Sequence, residues 1–436
     1  TPDVFGLIAL ALIVVRAIET FTRPGIAQAL IARQNEFEEA SATAFTLLVA
    51  RGVMLSLALA VAAPFVAKFY DTAELEAVLQ ALAAVFLIGS LSSINTIARQ
   101  RELDFRQLTF MGQVAVLIGT IVTVILAWWL RSVWALVIGQ IVQVSATAIL
   151  SYYYLGGRVQ FAFNRDVARD LYKYGRFITG SSIVIFVVTE LDSIVIGKLL
   201  GAEQVGFYAL AVSISSMTML SLSQIASGIM MPAFSKLLHD PEKLRNAYLR
   251  VLSLVMFLVV PVSAGLLCLT EPLIYVVYGE KWLPAAIPLQ IWAFFGVPRV
   301  ILIFNGYLFE GIGKPKVAFY LGLLRLGLIA PIIIPMVKAY GLLGAAGTVA
   351  IGAVVQCVVG LISLQRYVAI RFSDLMEAIW RPLWTALVMS LIVLWVSTVL
   401  DPRTLIGLTA AVFSGFAVYV MLNVSFLLKL KNERFT

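Results

Sequence analysis

Residues 107–130, 133–157, 204–235 and 251–270 of this 436-residue chain contain no Asp, Glu, Lys or Arg at all. Each run is at least as long as the roughly 20 apolar residues an α-helix needs to cross a hydrocarbon core. Charged residues are 13% of the whole, about half the roughly 25% of a soluble domain. Mean hydropathy is +0.97. Water is therefore not the principal solvent, and the chain reads as an all-α polytopic membrane protein. Helices are required because a backbone in lipid must satisfy its own hydrogen bonds. The apolar/polar alternation of a membrane barrel is missing from these runs.

Setting apolar runs against loop punctuation predicts thirteen spans: 5–30, 42–67, 77–98, 107–130, 133–154, 177–200, 204–234, 249–278, 284–312, 315–337, 341–365, 379–400 and 404–428. Of the 32 Lys and Arg residues, 21 fall in one set of loops, from Arg33, Arg99 and Arg165 through Lys314, Lys316 and Arg366 to Arg434. The opposite loops hold only Lys68, Arg131, Lys281, Lys338 and Arg403. The positive-inside rule makes the richer side cytoplasmic, and the C-terminus with it. Thr1 then lies outside, so a further span is expected before it, for fourteen in all.

The net charge of +8 is in this light a topology signal, with no nucleic-acid partner implied. The single histidine, His239, and two cysteines, Cys268 and Cys357, are too few for a thiolate metal site, a disulfide framework or a Ser-His-Asp triad. No cofactor or metal is expected. The predicted exterior loops are too short to house a catalytic domain, so the chain is read as a transporter and not an enzyme.

An internal repeat gives the transporter a shape. Asp3-Val4-Phe5-Gly6 and Ala9-Leu10-Ala11 align at an offset of 200 with Glu203-Gln204-Val205-Gly206 and Ala209-Leu210-Ala211. Pro64-Phe65-Val66 with Phe69-Tyr70 returns as Pro272-Leu273-Ile274 with Val277-Tyr278. Both matches relate span n to span n+6, an even shift, so the copies have parallel topology. Such repeats meet about an axis along the membrane normal, with a substrate site between them. The expected organisation is an N-lobe at 1–156, a charged amphipathic cytoplasmic connector at 157–176, a C-lobe at 177–368 and two extra helices at 369–436.

Several short motifs carry a resemblance. They are Thr1-Pro2-Asp3-Val4-Phe5-Gly6, Arg101-Glu102-Leu103-Asp104-Phe105-Arg106, and Leu191-Asp192-Ser193-Ile194-Val195-Ile196-Gly197-Lys198-Leu199-Leu200-Gly201. Pro232-Ala233-Phe234-Ser235-Lys236-Leu237, Gly279-Glu280-Lys281-Trp282 and Gly313-Lys314-Pro315 complete the set. Over nearly its whole length the chain resembles Wzx-type polysaccharide exporters of the multidrug/oligosaccharidyl-lipid/polysaccharide (MOP) flippase superfamily. The resemblance implies two six-helix lobes, two extra C-terminal helices and a central cavity. It also implies transport of undecaprenyl-diphosphate-linked glycans, as in lipopolysaccharide or exopolysaccharide export, from the cytoplasmic to the outer leaflet of a bacterial inner membrane. Alternative cargoes are cationic drugs, in an ion-coupled multidrug exporter, or a peptidoglycan lipid precursor. The coupling ion, if one is used, would be H+ or Na+.

Charges inside spans point to the site, because each costs about 2.5–3.5 kcal/mol at a helix centre unless it meets water or a partner. Arg16, Glu19 and Arg23 share one helical face by spacing. They read either as a self-neutralising group or as a cavity wall on which guanidinium groups hold a diphosphate. Glu19 would then balance charge or carry a coupling proton. Arg51 lines the cavity or snorkels from a span end. Arg299, next to Pro298, and Arg325, among Leu and Gly, are placed in the interior. Glu310 lies about 16 Å along the same helix from Arg299, too far to pair. Glu190 and Asp192 are coupling or charge-balancing candidates on different faces of one helix, and the resemblance favours Asp192.

Overall fold

The computed structural model describes residues 1–22, 26, 30, 37–102, 104–157, 161–217, 234, 237, 240–368 and 370–432. Among them there is no β-strand. Among the described residues eight helices are long and apolar enough to cross a bilayer, up to ten if each of two bent pairs is one crossing. Contacts divide the chain into two compact units, Asp3–Gly206 and Phe207–Thr436.

The first unit opens with α1 (Pro2–Phe21), with proline at its start and Asp3 in its first turn, where a negative charge meets the positive end of the helix dipole. α1 itself ends at Phe21, Ile26 and Leu30 are again helical farther along the expected span, and Pro24 lies between in the sequence. Next come α2 (Phe37–Phe69) and α3 (Glu74–Ser90), joined through Asp71 at a positive φ of 53°. A bend of 62° separates α3 from α4 (Asn95–Arg101). α5 (Phe105–Leu130) and α6 (Val133–Leu155) follow, and α7 (Arg165–Leu200) begins where the Asn164 side chain accepts from the amides of Asp166 and Val167. The entry to α7 is tied to α2. Thr46 Oγ1 donates to the Ala162 carbonyl at 2.8 Å, Thr43 Oγ1 accepts from the Asn164 amide at 3.2 Å, and Phe45 meets Phe161 with ring centroids 5.5 Å apart.

The second unit contains most of α8 (202–217), then α9 (Pro241–Tyr278), capped by Asp240, which accepts from the Lys243 amide. Lys243 also pairs with the Asp240 carboxylate at 2.9 Å, and these bonds hold that carboxyl below its usual range. A 3₁₀ turn (Glu280–Ala285) leads to α10 (Ala286–Phe294) and α11 (Gly296–Gly311), which meet at a bend of 51°. α12 (Pro315–Val368) has 54 residues. A straight helix of that length would run to about 80 Å, far beyond a bilayer. Gly341 breaks it at φ 57°, ψ −133°, a conformation closed to residues with a Cβ. The break falls at the first residue of the expected span 341–365, after the expected span 315–337. α13 (Phe372–Val399) and α14 (Leu405–Asn432) end the chain.

The core of this unit gathers Tyr248, Leu252, Phe304, Leu308 and Phe309. Outward-facing side chains are just as apolar: Leu117, Ile121 and Val124 on α5, and Val412, Phe413 and Phe416 on α14, are at least half exposed. Lipid, not water, accounts for such a surface.

Candidate functional site

Within the first unit, α1 and α7 run antiparallel in a legible register. Leu10 packs where a Cβ on Gly197 would sit, Arg16 meets Glu190, and the rings of Phe21 and Phe186 meet edge to face at 5.4 Å. Gly197 lets α7 approach both Leu10 and Tyr70. It lies seven residues after Glu190, two helical turns, so the two share a face. That rotation aims Glu190 at α1.

Arg16 Nη2 stands 3.2 and 3.3 Å from the two carboxylate oxygens of Glu190. The Arg16 side chain is 53% exposed and that of Glu190 17%. The pair uses Nη2, which leaves Nε and Nη1 with donors for an anion. Asp192, two residues on, is buried and accepts from the Ser193 amide at 2.7 Å. The acid that reaches Arg16 is thus Glu190. Glu19 is exposed, and Arg23 lies outside the described residues.

Arg51 serves the same helix differently. Its Nε donates to the Thr22 carbonyl at 3.1 Å and its Nη2 to the Glu19 carbonyl at 3.0 Å. A cation over the last carbonyls of α1 satisfies acceptors that the helix leaves open and complements its dipole. Arg51→Ala is expected to cost about 1 kcal/mol of stability, with Arg51→Lys recovering part. Thermal unfolding of the detergent-solubilised protein checks this, and an unchanged midpoint in Arg51→Ala would refute the capping role.

In the second unit Arg299 sits one turn into α11, just past the bend that Pro298 and Gly296 mark. Its Nη1 donates to Ser216 Oγ at 3.3 Å and its Cζ lies 5.0 Å from the Trp292 ring centroid, within cation–π reach. Trp292 in turn meets Tyr208 at 6.4 Å. Three helices, α8, α10 and α11, therefore hold this guanidinium. Arg325 is half-buried on the first arm of α12 and faces Gly352 on the second. Glu310 is exposed at the far end of α11.

The same unit holds a cavity of about 560 Å³ between α9, α13 and α14. Phe257, Pro261, Leu269, Met389, Leu408 and Phe416 are among its lining residues, and Gly265 opens onto it with nothing within 4 Å of where a Cβ would stand. Nothing charged lines it.

Lys198 reads from sequence as a residue that snorkels from the outer end of its span, and neither its partner nor the pairing of Arg245 is among the expectations. Lys198 meets Asp71 at 2.9 Å, and Arg245 grips Asp374 through two nitrogens at 2.6 and 3.0 Å. The partners lie 127 and 129 residues apart, and no local spacing announces them. Among the described residues no group of three or more His, Cys, Asp or Glu side chains is placed to hold a metal ion.

A protein-family model described as polysaccharide biosynthesis protein matches residues 1–287. The teichuronic acid biosynthesis protein TuaB of Bacillus subtilis is 28% identical over 86% of this chain and 78% of its own length. The lipopolysaccharide biosynthesis protein WzxC of Escherichia coli is 26% identical over 76% of this chain and 68% of its own. Among solved structures, the lipid II flippase MurJ in an inward closed conformation superposes with a TM-score of 0.77 at 14% identity, covering 99% of this chain and 94% of that one. An inward-facing multidrug resistance MATE family transporter of the MOP superfamily gives 0.70 at 16% identity, over 84% and 91%. These two likenesses establish a shared fold.

Proposed function

The chain belongs to the polysaccharide biosynthesis protein family, and from that premise we propose that it flips undecaprenyl-diphosphate-linked oligosaccharide repeat units from the cytoplasmic to the outer leaflet of a bacterial inner membrane. It is a membrane transporter of polysaccharide biosynthesis with the fold of the MOP superfamily, not an enzyme. The observation that carries the cargo assignment is Arg16: a half-exposed guanidinium on an apolar helix, anchored by one nitrogen to Glu190. A diphosphate offers acceptors for its remaining donors, and charge-assisted bonds of this kind are the strong ones. Arg299, Arg325 and Arg23 extend the cationic set. Arg51 acts beside it by holding the end of α1.

The repeat supports alternating access of two lobes as the mode of transport. Glu190, Glu19 and Asp192 are the acids to which a coupling H+ or Na+ would bind. The cavity beside Gly265 has the chemistry that a polyprenyl chain needs, since an apolar chain gains about 25 cal/mol for each Å² removed from water. The C-terminus would face the cytoplasm, on the side of the basic excess.

Reconstitution tests the cargo. Vesicles containing only this protein should move a fluorescent undecaprenyl-diphosphate oligosaccharide between leaflets. Efflux of a cationic dye without glycolipid movement would replace this reading with drug export. Movement of lipid II alone would replace it with precursor transport. Gly265→Phe is expected to slow glycolipid movement several-fold while leaving insertion intact, because the ring fills open space. Unaltered flipping by that variant would remove the cavity from the transport route.

A further inference from the structure

A second, smaller groove lies between the two arms of α12, and Arg16, Arg51, Arg299 and Arg325 are not among its lining residues. Its volume is about 250 Å³. Leu321 and Leu324 line its apolar length on the first arm, and Tyr320, Arg366 and Tyr367 stand around it. Lys314 joins this mouth from outside the helix. The Gly313 turn, at a φ of 71°, brings its ammonium 6.0 Å from the Tyr367 ring centroid. Tyr367 is fixed from its other side by Phe309, centroids 6.2 Å apart.

The arrangement is graded. Cations and phenols gather at one end, and aliphatic side chains run from there along the helix pair. Tyr320 and Tyr367 are 65% and 45% exposed, and Leu324 is 37% exposed. Aromatic rings with basic residues beside them are what the headgroup region on the cytoplasmic side of a membrane gathers. No acidic residue lines the groove.

We propose that this groove binds an acidic glycerophospholipid of the cytoplasmic leaflet. Its phosphate meets Arg366 and Lys314, and an acyl chain lies on Leu321 and Leu324. Basic pockets between transmembrane helices on the cytoplasmic side hold anionic headgroups by this chemistry. The occupant is a bulk lipid, because the groove lies open to the bilayer at its mouth. A lipid held there also braces the two arms across the Gly341 turn. The assignment needs only a membrane protein with this end of α12 at the cytoplasmic face, so it stands or falls independently of the glycolipid reading.

The test uses the purified full chain exchanged into equal phosphatidylglycerol and phosphatidylcholine, with no polyprenyl glycolipid present, and reads retained lipid by native mass spectrometry. The wild type should retain phosphatidylglycerol preferentially. Lys314→Gln and Arg366→Gln should each lower that preference about fivefold. Leu324→Trp, at an exposed position, should lower retention of both lipids by filling the groove while leaving the charges alone. Equal retention of the two lipids by the wild type would overturn the proposal, as would a preference that survives both charge substitutions. Displacement of the lipid by millimolar glycerol 3-phosphate would reduce the groove to a site for free phosphate and would also overturn it.

Discussion

Arg16→Ala should strongly slow glycolipid flipping in vesicles while leaving membrane insertion intact. The expected loss is at least about tenfold and up to about a hundredfold, the worth of one charge-assisted hydrogen bond at about 1.5–3 kcal/mol. The single variant alone is ambiguous, because it also strands Glu190. That carboxylate is 17% exposed, and an unpaired charge left in such a place is harmful in its own right. The double variant Arg16→Ala with Glu190→Ala removes both members of the pair. If Arg16 merely neutralises Glu190, the double variant recovers transport. If Arg16 holds the diphosphate, it stays slow, and slow transport is the outcome expected. Recovery to near the wild-type rate would overturn the role given to Arg16 and move the anion site to Arg299. Arg16→Lys refines the result: it keeps the charge but loses the planar fork, so it should fall between the two.

What could be read in advance, and what could not, divides along this same pair. Arg16 is legible as a charge in an apolar run, and its cost there demands a partner or water. The partner is 174 residues away. Spacing says that Glu190 and Asp192 lie on different faces and that one of them can reach the site, but it cannot say which. That choice is made by the rotation of α7, and the rotation is set where Gly197 lets Leu10 and Tyr70 close in. The seven-residue interval from Glu190 to Gly197 is in the sequence, and a small residue two turns from an acid is the signal that would have pointed to Glu190. The family resemblance pointed instead to Asp192, which is buried beside Ser193.

Arg51 shows a second limit. An arginine near a span end reads equally as cavity lining or as a snorkelling side chain until the end of α1 is known. The apolar run continues to 30, whereas α1 itself ends at Phe21, before the run does. Only that earlier end presents the Glu19 and Thr22 carbonyls to Arg51. Apolar content sets whether a segment enters the membrane, whereas the helix end depends on local backbone chemistry that hydropathy does not report. The bend between α10 and α11 is better marked, since Gly296 and Pro298 follow it directly. The turn inside α12 is marked by Lys338, which interrupts the apolar run, and by Gly341.

Gly6→Ala should lower the thermal midpoint of the solubilised protein markedly, and Gly6→Leu should prevent recovery of monodisperse protein. A Cβ at Gly6 would run into the carbonyl oxygen of Ala202, would stand 2.6 Å from its carbonyl carbon and 2.9 Å from the Gly206 amide nitrogen. All three are backbone atoms, so no side chain can swing aside, and α1 must move off the 202–206 segment. Overpacking of this kind costs about 1–3 kcal/mol where some relaxation is available, and here relaxation means separating helices. The membrane removes the usual compensation, because helices in lipid associate through close packing at small residues, without a hydrophobic drive. Gly265→Ala is the control: nothing lies within 4 Å of its Cβ position, so its midpoint should match the wild type. Equal midpoints for Gly6→Ala and the wild type would show that the approach is not needed.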